Sequence, residues 1–428
     1  MTNEKPHISI AFIGPCDSGK SVLISHLLNN LTTLDPDKLT EMREKFVSPY
    51  FNYYYNHHRR RINREDLYTV TYSLHQLKTE KYNFTFIDTP GHRDFTKNMI
   101  TGLALADYAI VVTSSYILQA DTTNALNGAK IFYSLLAYLM GAKQNIMCVS
   151  KIDDFPLSSS QSEFEKIKFE LTKSLKKIDK CLENLLFIPT SIIKNYNIIN
   201  ASADLNWYKG PSLSEAMLNI NQPKRNNEGP LRMIVSKICK VCGIGTIICG
   251  RVVSGTLRIG QTVTIAPSGT SGIVKSIEVF SKNIEIAYAG DIIGVRVTNI
   301  NSENKRGSVV SDKKNDPAKV CESFSAEVYI IDHPGKIKAG YMPLVNIHTA
   351  HVTCKFEILQ RKFDRQTGTV LEERPEYLKS KDSAIVVMLP IKPLCVETFA
   401  EYPKLGRFVL SDMGKIVGVG KIREVLKK

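Results

Sequence analysis

Apolar residues in the first half of the chain follow two alternating patterns. His7 to Ile13, Phe84 to Ile87, Tyr108 to Val112, Asn145 to Val149 and Leu185 to Ile188 are short apolar runs that read as buried strands. After the first run, Ile24, Leu27, Leu28 and Leu31 recur at helical spacing, so Ser21 to Leu31 reads as a helix with one apolar face. Strands alternating with helical stretches predict a parallel sheet wrapped by helices. The rhythm breaks between Asn219 and Gly229, where polar residues surround Pro223, and a domain boundary is expected there. From Pro230 onward the runs are short, β-rich and punctuated by glycine, as in Gly245 to Val253, Gln261 to Ile265 and Gly272 to Phe280. That pattern predicts small β-barrels. A charged stretch from Lys313 to Lys319, containing Pro317, marks a second boundary. The expected organisation is an α/β domain over 1–222 and two all-β barrel domains over 229–315 and 316–428.

At 428 residues, 43% hydrophobic and 23% charged, the chain has enough apolar material for two to four domains with cores of their own, so disorder is not the default reading. No window approaches the ~20 apolar residues of a membrane-spanning helix, and Met1 to Pro6 lacks the regions of a signal peptide, so a cytoplasmic protein is expected. Nine cysteines without framework spacing read as reduced thiols. Cys239 and Cys242 form a CxxC pair followed by Cys249, but zinc needs a second ligand pair nearby, so these read as buried strand cysteines. A net charge of +14 suits a polyanionic partner, because basic surface gains affinity by releasing counterions. Charge alone serves RNA, a ribosome, an acidic filament or an anionic membrane equally. Between Tyr50 and Arg61, Tyr53 to Tyr55 precede His57, His58 and Arg59 to Arg61, a mixture that suits RNA stacking, although a solvated face is the commoner meaning.

Candidate chemistry begins directly after the first strand. Gly14-Pro15-Cys16-Asp17-Ser18-Gly19-Lys20-Ser21 matches GxxxxGK[ST] between strand and helix, the context that a phosphate-binding loop requires. Backbone N–H groups around Gly14, Asp17, Ser18 and Gly19 would cradle a phosphate. Lys20 would reach the β- and γ-oxygens, and the Ser21 hydroxyl would ligate Mg²⁺. Asp88-Thr89-Pro90-Gly91-His92 closes the next strand, where Asp88 can hold Mg²⁺ through water, Gly91 can offer its N–H to a γ-phosphate and His92 can orient the attacking water. Ser150-Lys151-Ile152-Asp153 follows a further strand, and the Asp153 carboxylate can accept both N1–H and the N2 amino group of guanine. Ser191, after Phe187 to Thr190, would present a backbone N–H to the guanine O6. GTP or GDP with Mg²⁺ is therefore the expected ligand.

In this order the motifs resemble those of translational GTPases, and over nearly the whole chain the similarity is to the eukaryotic elongation factor 1-alpha class. It includes Gly91 to Phe95, Lys97 to Gly102, Trp207 to Pro211, Gly243 to Thr246, Gly250 to Val252, Lys314 to Pro317, His348 to His351 and Gly406 to Phe408. The resemblance implies a P-loop GTPase domain followed by two β-barrels, closed together by GTP around aminoacyl-tRNA, which hydrolysis on the ribosome releases. It also implies a guanine nucleotide exchange factor and no membrane. Carried over residue by residue, Thr69 is a Mg²⁺ ligand, His92 the catalytic histidine, and Lys97 and Asn98 lie near the tRNA 5′ end.

Several working positions depart from the family pattern. Leu67-Tyr68-Thr69 stands for Gly-Ile-Thr, Cys16 for a valine and Ser150 for an asparagine. In the first barrel, Lys237 stands for an acidic residue near the aminoacyl ester, Val253 for a glutamate and Phe280 for a histidine. Altered hydrolysis and weaker nucleotide affinity are expected, with guanine selectivity kept by Asp153. Alternative readings are a diverged relative that binds cytoskeletal filaments, and a termination or ribosome-rescue factor.

Overall fold

The computed structural model describes residues 5–31, 69–114, 133–134, 136–138, 140–141, 143–176, 185–241, 243, 245–280, 282–300, 304–365 and 367–428. Tyr50 to Arg61, Leu67, Tyr68, Cys242 and Ile244 lie outside the described residues. Among the described residues, the first of two compact units ends at Pro223 and the second begins at Lys224.

In the first unit, β1 (His7–Ile13), β2 (Ser73–Lys78), β3 (Asn83–Asp88), β4 (Tyr108–Ser114), β5 (Lys143–Ser150) and β6 (Leu186–Pro189) form a six-stranded sheet in the order β2-β3-β1-β4-β5-β6. All neighbours run parallel except β2, which is antiparallel to β3 at one edge. Helices of this unit with bounds among the described residues include α1 (Lys20–Leu31), α2 (Thr96–Ala104), α3 (Leu157–Lys176) and α4 (Leu213–Leu218). Alternation along β1 puts Ile8, Ile10 and Phe12 on one face, where they join Phe84, Phe86, Ile110 and Val112 beneath Leu23, Ile24 and Leu27 of α1. The buried helical stripe is thus turned from the expected one. Leu23 is in the core, whereas Leu28 and Leu31 are only partly buried, because the helix enters from a loop that fixes its first turn against the sheet.

After β1 the chain passes to β3 on one side and then to β4 on the other. Ligands bind open parallel sheets at such a reversal, outside the carboxyl ends of the strands. The register aligns these ends: Phe12 lies opposite Asp88, Ile13 opposite Val111 and Ser114 opposite Ser150.

The second unit holds the barrels. β7 (Arg232–Val241), β8 (Gly245–Ser254), β10 (Thr262–Ala266), β11 (Thr270–Val279), β14 (Ile292–Val297) and β15 (Val309–Asp312) close through the β10–β11 pairing. β12 (Lys282–Ile284) extends β11, and β9 (Thr256–Arg258) pairs with β13 (Ile286–Tyr288). Then β16 (Cys321–Ile330), β17 (Leu344–Ile347), β18 (Ala350–Phe363), β20 (Ser383–Pro390), β21 (Arg407–Asp412) and β22 (Lys415–Lys427) close through β17–β18, with β19 (Val370–Glu373) extending β18. Among the described residues, closure pairs both edges of each six-stranded wall. Their cores are separate, one around Val235, Ile248 and Val295 and the other around Phe324, Phe356 and Phe408.

At the junction the Arg232 Nε donates to Glu397 Oε1 at 2.9 Å, its Nη2 donates to Asp316 Oδ2 at 2.7 Å, and Lys427 Nζ donates to Glu397 Oε2 at 2.6 Å. The Thr349 hydroxyl donates to the Val235 carbonyl at 2.7 Å.

Candidate functional site

The loop from Gly14 to Gly19 turns on unusual backbone conformations. Gly14 has φ 154°, and a Cβ there would sit 2.0 Å from the Val112 carbonyl oxygen, so the loop leaves β1 pressed against β4 where only glycine fits. Asp17 at φ 57° and Gly19 at φ 89° then reverse the chain into α1. Successive turns of this kind aim backbone N–H groups inward as an anion nest.

Lys20 opens α1 and is 7% exposed. Its ammonium donates to the carbonyls of Gly14 at 2.9 Å and Pro15 at 2.7 Å. Burial lowers its pKa, against the opposing pull of Asp88, Cys16 and Asp17. Next to it, the Ser21 hydroxyl donates to Asp88 Oδ2 at 2.6 Å. Asp88 is 5% exposed, and its Oδ1 has no hydrogen-bond partner among the described residues. Burial raises its pKa, with the Ser21 bond and Lys20 acting the other way. Hard oxygens from a hydroxyl and a carboxylate, one of them with a spare lone pair, fit Mg²⁺ coordination. The cradle beside a buried ammonium fits a phosphate chain.

Gly91 reaches the same cluster. A Cβ on it would lie 2.7 Å from both Cys16 N and the Lys20 ammonium, so its backbone lies directly against the loop. Two contacts hold it there that sequence motifs did not disclose: the Tyr133 hydroxyl donates to the Gly91 carbonyl, and the Thr89 hydroxyl donates to the Phe12 carbonyl at 2.7 Å. His92 follows with its side chain 46% exposed. Its Nδ1 accepts from the Asp94 N–H at 3.3 Å, and its ring centre is 6.0 Å from that of Phe95. Thr69 is half-buried beside Val70, whose carbonyl accepts from Asn98 Nδ2 at 2.9 Å. Lys97 is exposed.

The base-side loops lie at the same sheet edge. Ser150 is buried, and its hydroxyl lies 2.8 Å from the Ser18 carbonyl and 3.2 Å from that of Thr113. It therefore ties the loop after β1 to the end of β5, a link that no local pattern announces. Lys151 takes a left-handed conformation at φ 58°, which turns the chain so that Asp153 stands half-buried in the following short helical turn. The Ile152 N–H donates to the Thr190 carbonyl at 3.2 Å and joins this turn to the end of β6. Ser191 is buried, and its N–H donates to the Tyr196 carbonyl at 3.3 Å, a long bond that it would have to exchange to serve a base oxygen.

In the first barrel, Lys237 is half-buried, and burial lowers its pKa against the neighbouring thiols of Cys239 and Cys249. Cys239 and Cys249 are half-buried rather than buried as expected, because Ile238 and Ile248 take the inward positions of β7 and β8. No group of three or more His, Cys, Asp or Glu side chains placed to hold a metal ion occurs among the described residues.

The family model described as Elongation factor Tu GTP binding domain matches residues 5–236. Elongation factor Tu domain 2 matches 245–311, and the GTP-eEF1A C-terminal domain-like model matches 323–423. Elongation factor 1-alpha of Tetrahymena pyriformis is 39% identical over 429 residues, covering 99% of both chains. The protein of the same name from Entamoeba histolytica is 41% identical over 430 residues, covering 99% of this chain and 97% of its own. Among solved structures, the GTP-bound Ski7 GTPase-like domain of S. cerevisiae superposes with a TM-score of 0.75 at 19% identity, with 98% of each chain covered. The elongation factor SelB of Methanococcus maripaludis gives 0.68 at 17%, covering all of this chain and 81% of its own. At such identities these structures speak for the fold alone.

Proposed function

Because the chain belongs to the elongation factor 1-alpha family of translational GTPases, we propose that it binds and hydrolyses GTP and delivers aminoacyl-tRNA to the ribosome in the cytoplasm. The observation that carries this reading is the cluster of buried Lys20, Asp88 and Gly91 with the Ser21 hydroxyl bonded to Asp88, and the Ser150–Asp153 turn at the same sheet edge.

In this reading the backbone from Gly14 to Gly19 holds the phosphates, with Asp17 and Ser18 in the turn. Lys20 exchanges the Gly14 and Pro15 carbonyls for phosphate oxygens, trading dipoles for full charges. Ser21, Thr69 and, through water, Asp88 hold Mg²⁺, which when bound neutralises charge on the phosphates. The Gly91 N–H takes the γ-phosphate and His92 orients the attacking water, so catalysis rests on position and electrostatics. Asp153 selects guanine, with Lys151 and Ser191 shaping its pocket. The proposed domain limits are 1–222, 229–315 and 316–428, and an exchange factor is the proposed means of reloading.

A second reading, a relative that binds cytoskeletal filaments, is favoured by Lys237. A half-buried ammonium where the family carries an acid would repel the cationic α-amino group of an aminoacyl ester. Filter binding of charged and uncharged tRNA, with GTP and with GDP, decides between them. Delivery predicts at least about a tenfold preference for charged tRNA in the GTP state. Equal retention of both tRNAs, with cosedimentation on filaments, would reverse the order of the two readings.

A further inference from the structure

The first barrel carries a row of side chains that the nucleotide chemistry does not use. The ladder sets Lys237 of β7 opposite Cys249 of β8, Cys249 opposite Gly294 of β14, and Gly294 opposite Glu278 of β11. Four adjacent strands therefore present an ammonium, a thiol, a glycine and a carboxylate in line. Cys239 is two residues along β7 from Lys237, which puts it on the same face and diagonal to Cys249. Both thiols are reduced and half-buried.

The surrounding groups make this pair unequal. The hydrogen bond from Cys249 and, against burial, the Lys237 ammonium draw the Cys239 thiol down to about 7. The bond to Cys239, burial and, more weakly, the Glu278 carboxylate push Cys249 well above its ordinary range, against Lys237. One sulfur is thus available as a thiolate near neutral pH while its neighbour keeps its proton. A thiolate beside a protonated thiol is the arrangement of a nucleophilic and a resolving cysteine.

We propose that Cys239 and Cys249 are a peroxide-responsive dithiol switch, with Cys239 the attacking sulfur and Cys249 the resolving one. The Cys239 thiolate attacks the terminal oxygen of a hydroperoxide. The O–O bond breaks, Cys239 becomes a sulfenic acid, and the departing alkoxide or hydroxide takes up a proton from water. The Cys249 sulfur then attacks the sulfenic sulfur. The S–S bond forms, and the sulfenic hydroxyl leaves as water with the Cys249 proton. Two thiols lose two electrons in all, and the hydroperoxide is reduced to alcohol or water plus one further water. A diagonal cross-strand pair is spaced slightly beyond the usual Cα separation of a disulfide, so closing the bridge requires the two strands to shift locally and leaves it readily reduced, as a regulatory bridge is. Its formation removes the thiolate that offsets Lys237 and changes the charge of this barrel face.

The test is mass mapping of the full-length protein after treatment with hydrogen peroxide and alkylation of remaining thiols. The expected product is a peptide pair joined through Cys239 and Cys249, lighter by two hydrogens and restored by dithiothreitol. In Cys249→Ser, dimedone should label Cys239 as a sulfenic acid. Lys237→Met should slow iodoacetamide alkylation of Cys239 at pH 7 about fivefold, the effect on the thiolate population of raising a thiol at about 7 by one pKa unit. A Cys239–Cys242 bridge would overturn the proposal, as would peroxide oxidation that spares both thiols or an unchanged alkylation rate in Lys237→Met.

Discussion

At the edge of the first sheet and at the junction of the barrels, the chain buries opposite charges under different terms. Lys20 rests on two carbonyl dipoles, Asp88 keeps one carboxylate oxygen without a partner among the described residues, and burial drives both toward their neutral forms. At the junction, Arg232 (0% exposed) donates to Glu397, to the Asp316 carboxylate and to the carbonyls of Leu231 and Asp316. Glu397 (1% exposed) spends its second oxygen on Lys427. Desolvating a charge is costly unless pairing and hydrogen bonds offset it. The junction offsets it within the fold, as suits a contact that must persist. The sheet edge leaves part of the cost outstanding, as suits a place that takes in a multiply charged ligand.

The largest test of this contrast is Arg232→Ala. It leaves Glu397 buried with Lys427 as its remaining cation and should cost about 3–5 kcal/mol in urea unfolding. A change near zero would abolish the distinction. Acid should also act on the barrel unit. His348 is 1% exposed, its Nε2 lies 3.1 Å from the Cys395 carbonyl, and burial lowers its pKa to about 4, against that hydrogen bond. Between pH 6.5 and about 4 the unfolded chain takes up a proton that the folded chain refuses, so stability present above pH 6.5 is lost as the pH falls, by up to about 3 kcal/mol. Urea titrations across that range should flatten in His348→Gln.

At the sheet edge the expected signs reverse. Asp88→Asn removes a buried charge that the fold does not fully pair, so the ligand-free protein should be as stable as the parent or slightly more so. Its affinity for Mg²⁺-GTP should fall by about 2–3 kcal/mol, the scale of a hydrogen bond to a charged group. Calorimetric titration with a parallel urea melt reads both, and a destabilised Asp88→Asn would place this carboxylate with the junction charges.

Legibility in the sequence followed the range of the interactions. β1 and the loop after it could be read because Ile8, Ile10 and Phe12 alternate and the glycines sit at fixed local offsets. The short glycine-punctuated strands also announced the two barrels, but not their strand order, since the pairing of β10 with β15 and of β17 with β21 joins segments distant in sequence. The same holds at the site, where Tyr133 on Gly91 and Ser150 on Ser18 are tertiary contacts between unrelated motifs. The CxxC spacing drew attention to Cys242 as the partner of Cys239, although the strand register supplies Cys249.

Ser150 gives the smallest effect and the sharpest form of the contrast, because it is a satisfied bond inside the under-satisfied region. Its single hydroxyl proton is placed between the carbonyls of Ser18 and Thr113 and cannot serve both fully. Ser150→Ala removes that donor and loosens the loop that carries Lys20 without touching any charge. The expected loss is about 1 kcal/mol, or roughly fivefold in GDP affinity by displacement of a fluorescent analogue. Ser150→Asn offers an amide of greater reach in the same place and should recover affinity if bracing the loop is what matters. Should Ser150→Ala instead lower the unfolding free energy while GDP affinity holds, the hydroxyl belongs to the fold, and the under-satisfied region shrinks to Lys20, Ser21 and Asp88.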